Sequence, residues 1–267
     1  MGQLGAPVAY GPEKVDSYEL GWKAALFNRR LQLATALFDA EYKDVQVPGS
    51  APCTTVVGGV PTTGFCGITT NAGKARIRGV EIETNARVAN DLAAAGDRLS
   101  LAGTLGYLDG KYRRFITNVA GQGPVDVAKF RKIQNTPKWT ASGSLDYDTP
   151  AWGGRLNLNT TVSYRSKSQQ FEFAIPSIDQ KGFALWDANA VWRSPGNRFE
   201  LGLHGKNLTN KKYIASGYNF MVSDPVTGSP IFNPATGLPS AALGKTGILT
   251  AFYGNPRQVF LSAAFNF

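Results

Sequence analysis

His204 is the one histidine of the chain, so any proton transfer that needs an imidazole must run through it. A Ser–His–Asn hydrolase set would draw on Asn207 as the orienting partner. On a strand, however, residues three apart point to opposite faces, and no nucleophile motif accompanies the pair. The spacing argues for a structural or wall histidine, and no enzyme activity is expected. Cys53 and Cys66 are the other candidate ligands. A metal would need further ligands, and no histidine lies near them. Neither a metal nor a cofactor is expected.

The net charge of +9 points to an anionic partner. Nucleic acid fits poorly. The Lys and Arg residues are spread along the chain, with no dense basic run and no RNA-binding motif. Lipopolysaccharide phosphates or an anionic small ligand fit the dispersed pattern better.

The elements that must position these residues alternate with a period of two. Tyr18, Leu20, Trp22 and Ala24 form the first apolar phase, and 31–43 the second. Val80, Ile82 and Thr84 oppose Glu81, Glu83 and Asn85. Leu99 to Tyr107, Trp139 to Tyr147 and Leu156 to Tyr164 repeat the pattern, as do 183–192 and 199–204. The ninth segment runs through Val259, Leu261, Ala263, Phe265 and Phe267. Soluble domains usually let their last residues fray. A strand that runs out on an aromatic residue looks like the closing strand of a bacterial outer-membrane β-barrel.

Connections alternate in length. Short turns are expected at 27–30, 90–97, 148–154 and 194–198, and long Gly- and Pro-rich loops at 44–75, 113–135, 168–182 and 212–255. Transmembrane barrels have short periplasmic turns and long external loops. Aromatics gather at both ends of the strands: Phe27, Tyr147, Trp192, Phe199 and Phe267 near the short turns, and Tyr18, Tyr107, Trp139 and Tyr164 toward the long loops. Two interfacial girdles explain this, and a soluble sandwich core does not. No apolar run approaches the roughly 18 residues of a membrane helix. The fold class expected is all-β, an antiparallel up-and-down transmembrane β-barrel of roughly nine strands. In that setting 44–75 is an exported loop, and an even cysteine count reads as a Cys53–Cys66 disulfide. Closing it would restrict the unfolded chain by about 3 kcal/mol in the chain-entropy view. Arg76 and Arg78 share the outward phase of Val80, just above the apolar band, where they could meet lipopolysaccharide phosphate.

Several stretches carry a family resemblance. Ala75-Arg76-Ile77-Arg78-Gly79-Val80-Glu81-Ile82-Glu83 resembles the RGVE strand of TonB-dependent receptors, and Ser17-Tyr18-Glu19-Leu20-Gly21-Trp22-Lys23 resembles their YELGxK strand. Residues 38–46 are similar to the strand that follows it. Asn135-Thr136-Pro137-Lys138-Trp139, Lys206-Asn207-Leu208-Thr209-Asn210-Lys211-Lys212-Tyr213 and Gly254-Asn255-Pro256-Arg257 match further family strands.

The resemblance implies TonB-dependent uptake of a scarce ligand such as a ferric siderophore, in the outer membrane of a Gram-negative bacterium. Family barrels have many more strands and an N-terminal plug. Nothing here resembles the plug, and 1–15 lacks the apolar core of a signal peptide. Residues 1–267 are therefore expected to be the C-terminal part of a receptor barrel, incomplete and without its plug domain. Implied partners are the TonB system through the missing plug, an iron complex, the outer membrane with its lipopolysaccharide, and the barrel-assembly machinery. Phe265 and Phe267 would serve as the assembly signal. Ligand would meet the upper rim at Tyr112, Arg113, Arg114 and Arg165, whose cationic and aromatic groups suit an anionic, catechol-bearing complex. Glu81, Glu83, Arg87, Glu200, His204 and Lys206 share the lumen phase with Arg165.

Overall fold

A computed structural model describes residues 10–242 and 245–266, with the side chains of 48–57, 63–68 and 72 outside the description. The strands are β1 (Lys14–Leu26), β2 (Leu31–Val57), β3 (Val60–Asn90), β4 (Arg98–Val119), β5 (Gly123–Asp126), β6 (Trp139–Ala151), β7 (Gly154–Arg165), β8 (Phe183–Arg193), β9 (Phe199–Lys206), β10 (Ile214–Asn219), β11 (Leu249–Tyr253) and β12 (Gln258–Phe265). One antiparallel sheet runs in the order β1-β2-β3-β4-β6-β7-β8-β9-β12, with β5 paired to β4 off this path. These nine path strands are the nine alternating segments read from the sequence. Among the described residues β1 and β12 pair on one side only, so the sheet is an open, partial barrel wall.

Residues directly opposite across an antiparallel pair share a face. Register therefore gathers the alternating residues of every strand into two continuous surfaces. One row runs Leu20, Leu37, Val80, Tyr107, Trp139; a lower one runs Leu158, Ala190, Leu203, Leu261. Most of the large side chains on this face are exposed, Leu20 and Leu261 among them. A water-facing surface of that kind would be an aggregation site, but in hydrocarbon it is the solvated face. Strands β1, β6, β7 and β8 have 11 to 13 residues, enough to span a bilayer at a tilt. The expected girdles stand at the two edges of this face. Tyr18 is 77% exposed at the upper edge, the Tyr107 and Trp139 rings meet at 4.7 Å, and Phe199 meets Phe265 at 4.8 Å at the lower edge. Phe267 lies outside the described residues.

The short turns fall where alternation stops. In the 90–97 turn the buried Asp97 carboxylate accepts hydrogen bonds from Tyr147 Oη at 2.6 Å and from the N–H groups of Leu92, Ala93 and Ala94. These donors, Tyr147 first, hold its carboxyl well below the usual carboxylate range.

Three expected loops carry strands: β4 pairs with β5 inside 113–135, β10 pairs with β11 inside 212–255, and 44–75 departs furthest. Residues 44–75 continue β2 and β3 as a long hairpin whose strands pair as far as Val57 and Val60. Its turn is Gly58-Gly59, with φ of 59° and 85°, the backbone that a two-residue type I′ turn requires. Thr54, Thr55, Val56 and Val57 on one side and Thr62 and Thr63 on the other favour strand. Glycine and proline content suggested a loop, but β-branched flanks around a Gly-Gly pair make a hairpin. The hairpin leaves the wall at paired irregularities near Asp44 and at Lys74/Ala75. The Cys53–Cys66 pairing lies outside the described side chains. By register Cys53 faces Gly64, and Cys66 faces Ala51.

Candidate functional site: the lumen wall and the upper loops

The face opposite the apolar one carries Glu81, Gly106, Thr140 and Arg165 in one cross-strand row, and Arg87, Ser100, Asp146, Asn159, Asn189 and His204 in another. Its lower charges pair with one another. Arg155 binds Asp148 through Nε at 2.7 Å, Arg98 approaches the same carboxylate at 3.6 Å, and Arg193 meets Glu200 at 2.8 Å. Such pairs satisfy the wall and leave little charge for a ligand. Arg87, near the short 90–97 turn, is exposed and forms no salt bridge among the described residues, and the same holds, higher up, for Glu81, Glu83, Arg165 and Lys206.

His204 does find a serine and an asparagine, though not the asparagine its sequence neighbourhood offered. Its Nδ1 lies 3.0 Å from Asn189 Oδ1, its Nε2 lies 2.8 Å from Ser262 Oγ, and its ring stacks on Phe260 at 4.8 Å. All three residues sit mid-strand, and on β8 and β9 ladder pairing occupies the backbone N–H groups that an oxyanion would need. The arrangement ties β8, β9 and β12 together on the lumen side.

Asn207 has a different task. It is buried, at 5% exposure and φ 47°. Its Nδ2 donates to Lys211 O at 2.9 Å and Asn255 O at 3.0 Å, and its Oδ1 accepts from Lys211 N at 2.8 Å. Asn210 Oδ1 accepts from Arg257 N at 3.0 Å. The two stretches that resemble family motifs, 206–213 and 254–257, thus bind each other. They lock the exit of β9 to the entry of β12.

Above the wall, three of the long connections pack together. Arg131 is 7% exposed and reaches from the 113–135 connection to 212–255, donating to Val226 O at 2.9 Å and Pro225 O at 2.7 Å. Its guanidinium lies over Phe115 at 5.7 Å and over Phe173, from the 168–182 connection, at 5.6 Å. Burial presses its pKa down, against the raising influence of Glu172 and Asp224. Phe115 and Val127 form a small core beside it, packed by Tyr112, Val125 and Val226. Sequence reasoning missed Arg131, because nothing local distinguishes it from other loop arginines. Arg131→Ala is expected to free the loops from one another, at a cost of about 3 kcal/mol for two charge-assisted bonds. Limited proteolysis within 212–255 should accelerate while the strands stay protected, and Arg131→Lys should not rescue, since an ammonium lacks the planar fork.

The four rim residues read from the sequence do not converge on one point. Tyr112 is half-buried, its ring edge-on to Phe115 at 4.9 Å. Arg113 is exposed in the interval where the β3–β4 register shifts. Arg114 pairs in register with Lys74, in the outward phase, while Arg165 faces the lumen opposite Thr140. Arg76 and Arg78 are outward, as expected, but both are engaged: Arg76 Nε binds Asp39 at 2.8 Å, and Arg78 meets Asp109 at 3.4 Å.

Comparison with known proteins is consistent with this geometry. The family model described as TonB dependent receptor-like, beta-barrel matches residues 2–208. Similar solved structures include the ferric yersiniabactin uptake receptor FyuA from Yersinia pestis, at 19% identity and a TM-score of 0.60, over 96% of this chain and 30% of that one. The siderophore receptor PiuA from Acinetobacter baumannii aligns at 16% identity and 0.59, over 94% and 28%. The copper transporter OprC aligns at 15% and 0.56, over 96% and 31%. The chain thus spans about 30% of the length of these neighbours. No match was found among curated proteins.

Proposed function

Because the chain belongs to the TonB-dependent receptor-like β-barrel family, we propose that it forms part of an outer-membrane wall for TonB-dependent uptake of a scarce ligand such as a ferric siderophore. Receptors of this family are outer-membrane proteins of Gram-negative bacteria that bind small ligands and work with TonB. The observation that carries the reading is the family match over most of the chain, joined to a sheet with one apolar and one polar face. The solved neighbours are a ferric yersiniabactin uptake receptor, a siderophore receptor and a copper transporter, so fold alone does not choose the cargo.

On this reading ligand enters between the packed upper loops and meets the lumen wall at Arg165, which, like Lys206, is an exposed upper-wall cation without a salt bridge among the described residues. Arg113 is the second rim cation open to it. Uptake of radiolabelled ferric siderophores by cells carrying the intact protein tests the proposal. Accumulation should require the protein and an active TonB system. Arg165→Ala should weaken binding of anionic complexes about tenfold, the scale of one charge-assisted hydrogen bond, and leave uncharged ones unchanged. Steady ion conductance in planar bilayers, with no energy-dependent accumulation, would instead identify a passive porin.

A further inference from the structure

We propose that the outward face of β1–β4 carries a binding site for the phosphates of an outer-leaflet glycolipid, lipopolysaccharide, built on the cross-strand row Lys14, Lys43, Lys74 and Arg114. It rests on the orientation argued above, with the long loops outside the cell. Register gives the row directly: Lys14 opposes Lys43, Lys43 opposes Lys74, and Lys74 opposes Arg114. Adjacent strands lie about 4.8 Å apart, so four cations stand within about 15 Å. Like charges directly opposite one another destabilise a sheet. A row of four therefore works against the fold unless an anion lies across it.

The described residues supply little of that anion. Lys43 is paired, to Asp16 at 2.7 Å, but Lys14, Lys74 and Arg114 form no salt bridge among the described residues. Asp126, whose carboxylate feels Arg114, is committed to the N–H groups of Phe115 and Ala128, each at 3.0 Å. The next row down, Asp16, Glu41, Arg76 and Lys111, is balanced between acids and cations. Below it Tyr18, Asp39, Arg78 and Asp109 lead to the apolar row of Leu20, Leu37, Val80 and Tyr107. Uncompensated positive charge is thus confined to the top row. That row stands about 13 Å along the strand above Tyr18, the girdle residue that marks the interface. Long Lys and Arg stems can lean from there toward the headgroups. The chemistry recognised is a set of closely spaced phosphates held at membrane height. A bilayer glycolipid offers that arrangement, and a single free phosphate does not.

The test uses the intact protein extracted from outer membranes, stripped of lipid and kept in detergent. The probes are phosphorylated rough lipopolysaccharide, the same material after chemical dephosphorylation, and inorganic phosphate. The K14Q/K74Q/R114Q variant should bind phosphorylated lipopolysaccharide about tenfold more weakly or worse, while R76Q/R78Q should stay within about twofold because both arginines are already paired. Dephosphorylated material should bind both proteins equally poorly, and millimolar phosphate should not displace the lipid. Unchanged affinity in the triple variant, loss carried by R76Q/R78Q, or full competition by inorganic phosphate would each overturn the assignment. Should the triple variant lose its heat-modifiable gel mobility, K74Q alone, in mid-row, is read by the same criteria. A parent protein that fractionates with outer membranes yet binds no lipopolysaccharide sinks this inference alone. One that never reaches that membrane sinks the barrel reading beneath it.

Discussion

Replacing Gly79 with valine is expected to destabilise the wall by about 3 kcal/mol, the upper range of overpacking costs. A Cβ at this position would stand 2.2 Å from the Tyr107 carbonyl oxygen and 2.6 Å from Phe38 Cζ. The ring could swing away, but the carbonyl belongs to the paired backbone of β4 and can yield only if the strand moves. Phe38 is the direct cross-strand partner of Gly79, and its ring covers the space a side chain would fill. Gly79→Ala should show the same defect in smaller degree. Phe38→Ala in the valine background should recover little, since it leaves the backbone contact in place. The measurement is the urea midpoint of heat-modifiable mobility after refolding into detergent. A midpoint for Gly79→Val equal to that of the parent would refute the close-approach account.

Asn207→Ala should cost a similar amount, for a different reason. The substitution leaves two carbonyls and one N–H without partners in a buried site, at about 1–3 kcal/mol for each group that water cannot reach. It also puts alanine at a positive φ, which adds about 1 kcal/mol. Asn207→Gly removes the same hydrogen bonds but not the backbone freedom, so it should be the milder change. Asn207→Asp keeps the acceptor for Lys211 N but sets a carboxylate oxygen against the carbonyls of Lys211 and Asn255, and should be no milder than alanine. The defect should localise: hydrogen exchange ought to rise at 207–213 and 254–260 before it rises in β6 or β7. Uniform exchange across the wall would count against the staple. If Asn207→Ala left stability unchanged, the link between the two motif stretches would be incidental.

Much of this architecture was legible in the residues. Leu20, Trp22, Val80, Ile82, Leu201 and Leu203 alternate with polar neighbours because a strand in a barrel wall has two solvents, and a period of two survives any context. The nine wall strands, their short turns and the two aromatic girdles follow from that. Hairpin 44–75 reads as a loop in sequence because glycine and proline mark both loops and tight turns, and only the pairing of flanking strands separates them. In sequence His204 has Asn207 three positions away. Its actual partners, Asn189 and Ser262, are far along the chain and become neighbours through the order of β8, β9 and β12. Arg131 was invisible for the same reason, since Pro225 and Val226 lie more than ninety residues on.

By itself, then, the sequence determined that this is a two-faced wall, which residues face lipid and which end carries the loops. Those properties are written in near-neighbour periodicity, which the hydrophobic effect reads locally. The tertiary structure decided which charges are spent and which are free. Arg76 and Arg78 share a phase with Lys74, yet cross-strand acids neutralise the first two and leave the third facing cations on both sides. Register joins residues that no local pattern connects, and electrostatic energy depends on distance in space rather than along the chain.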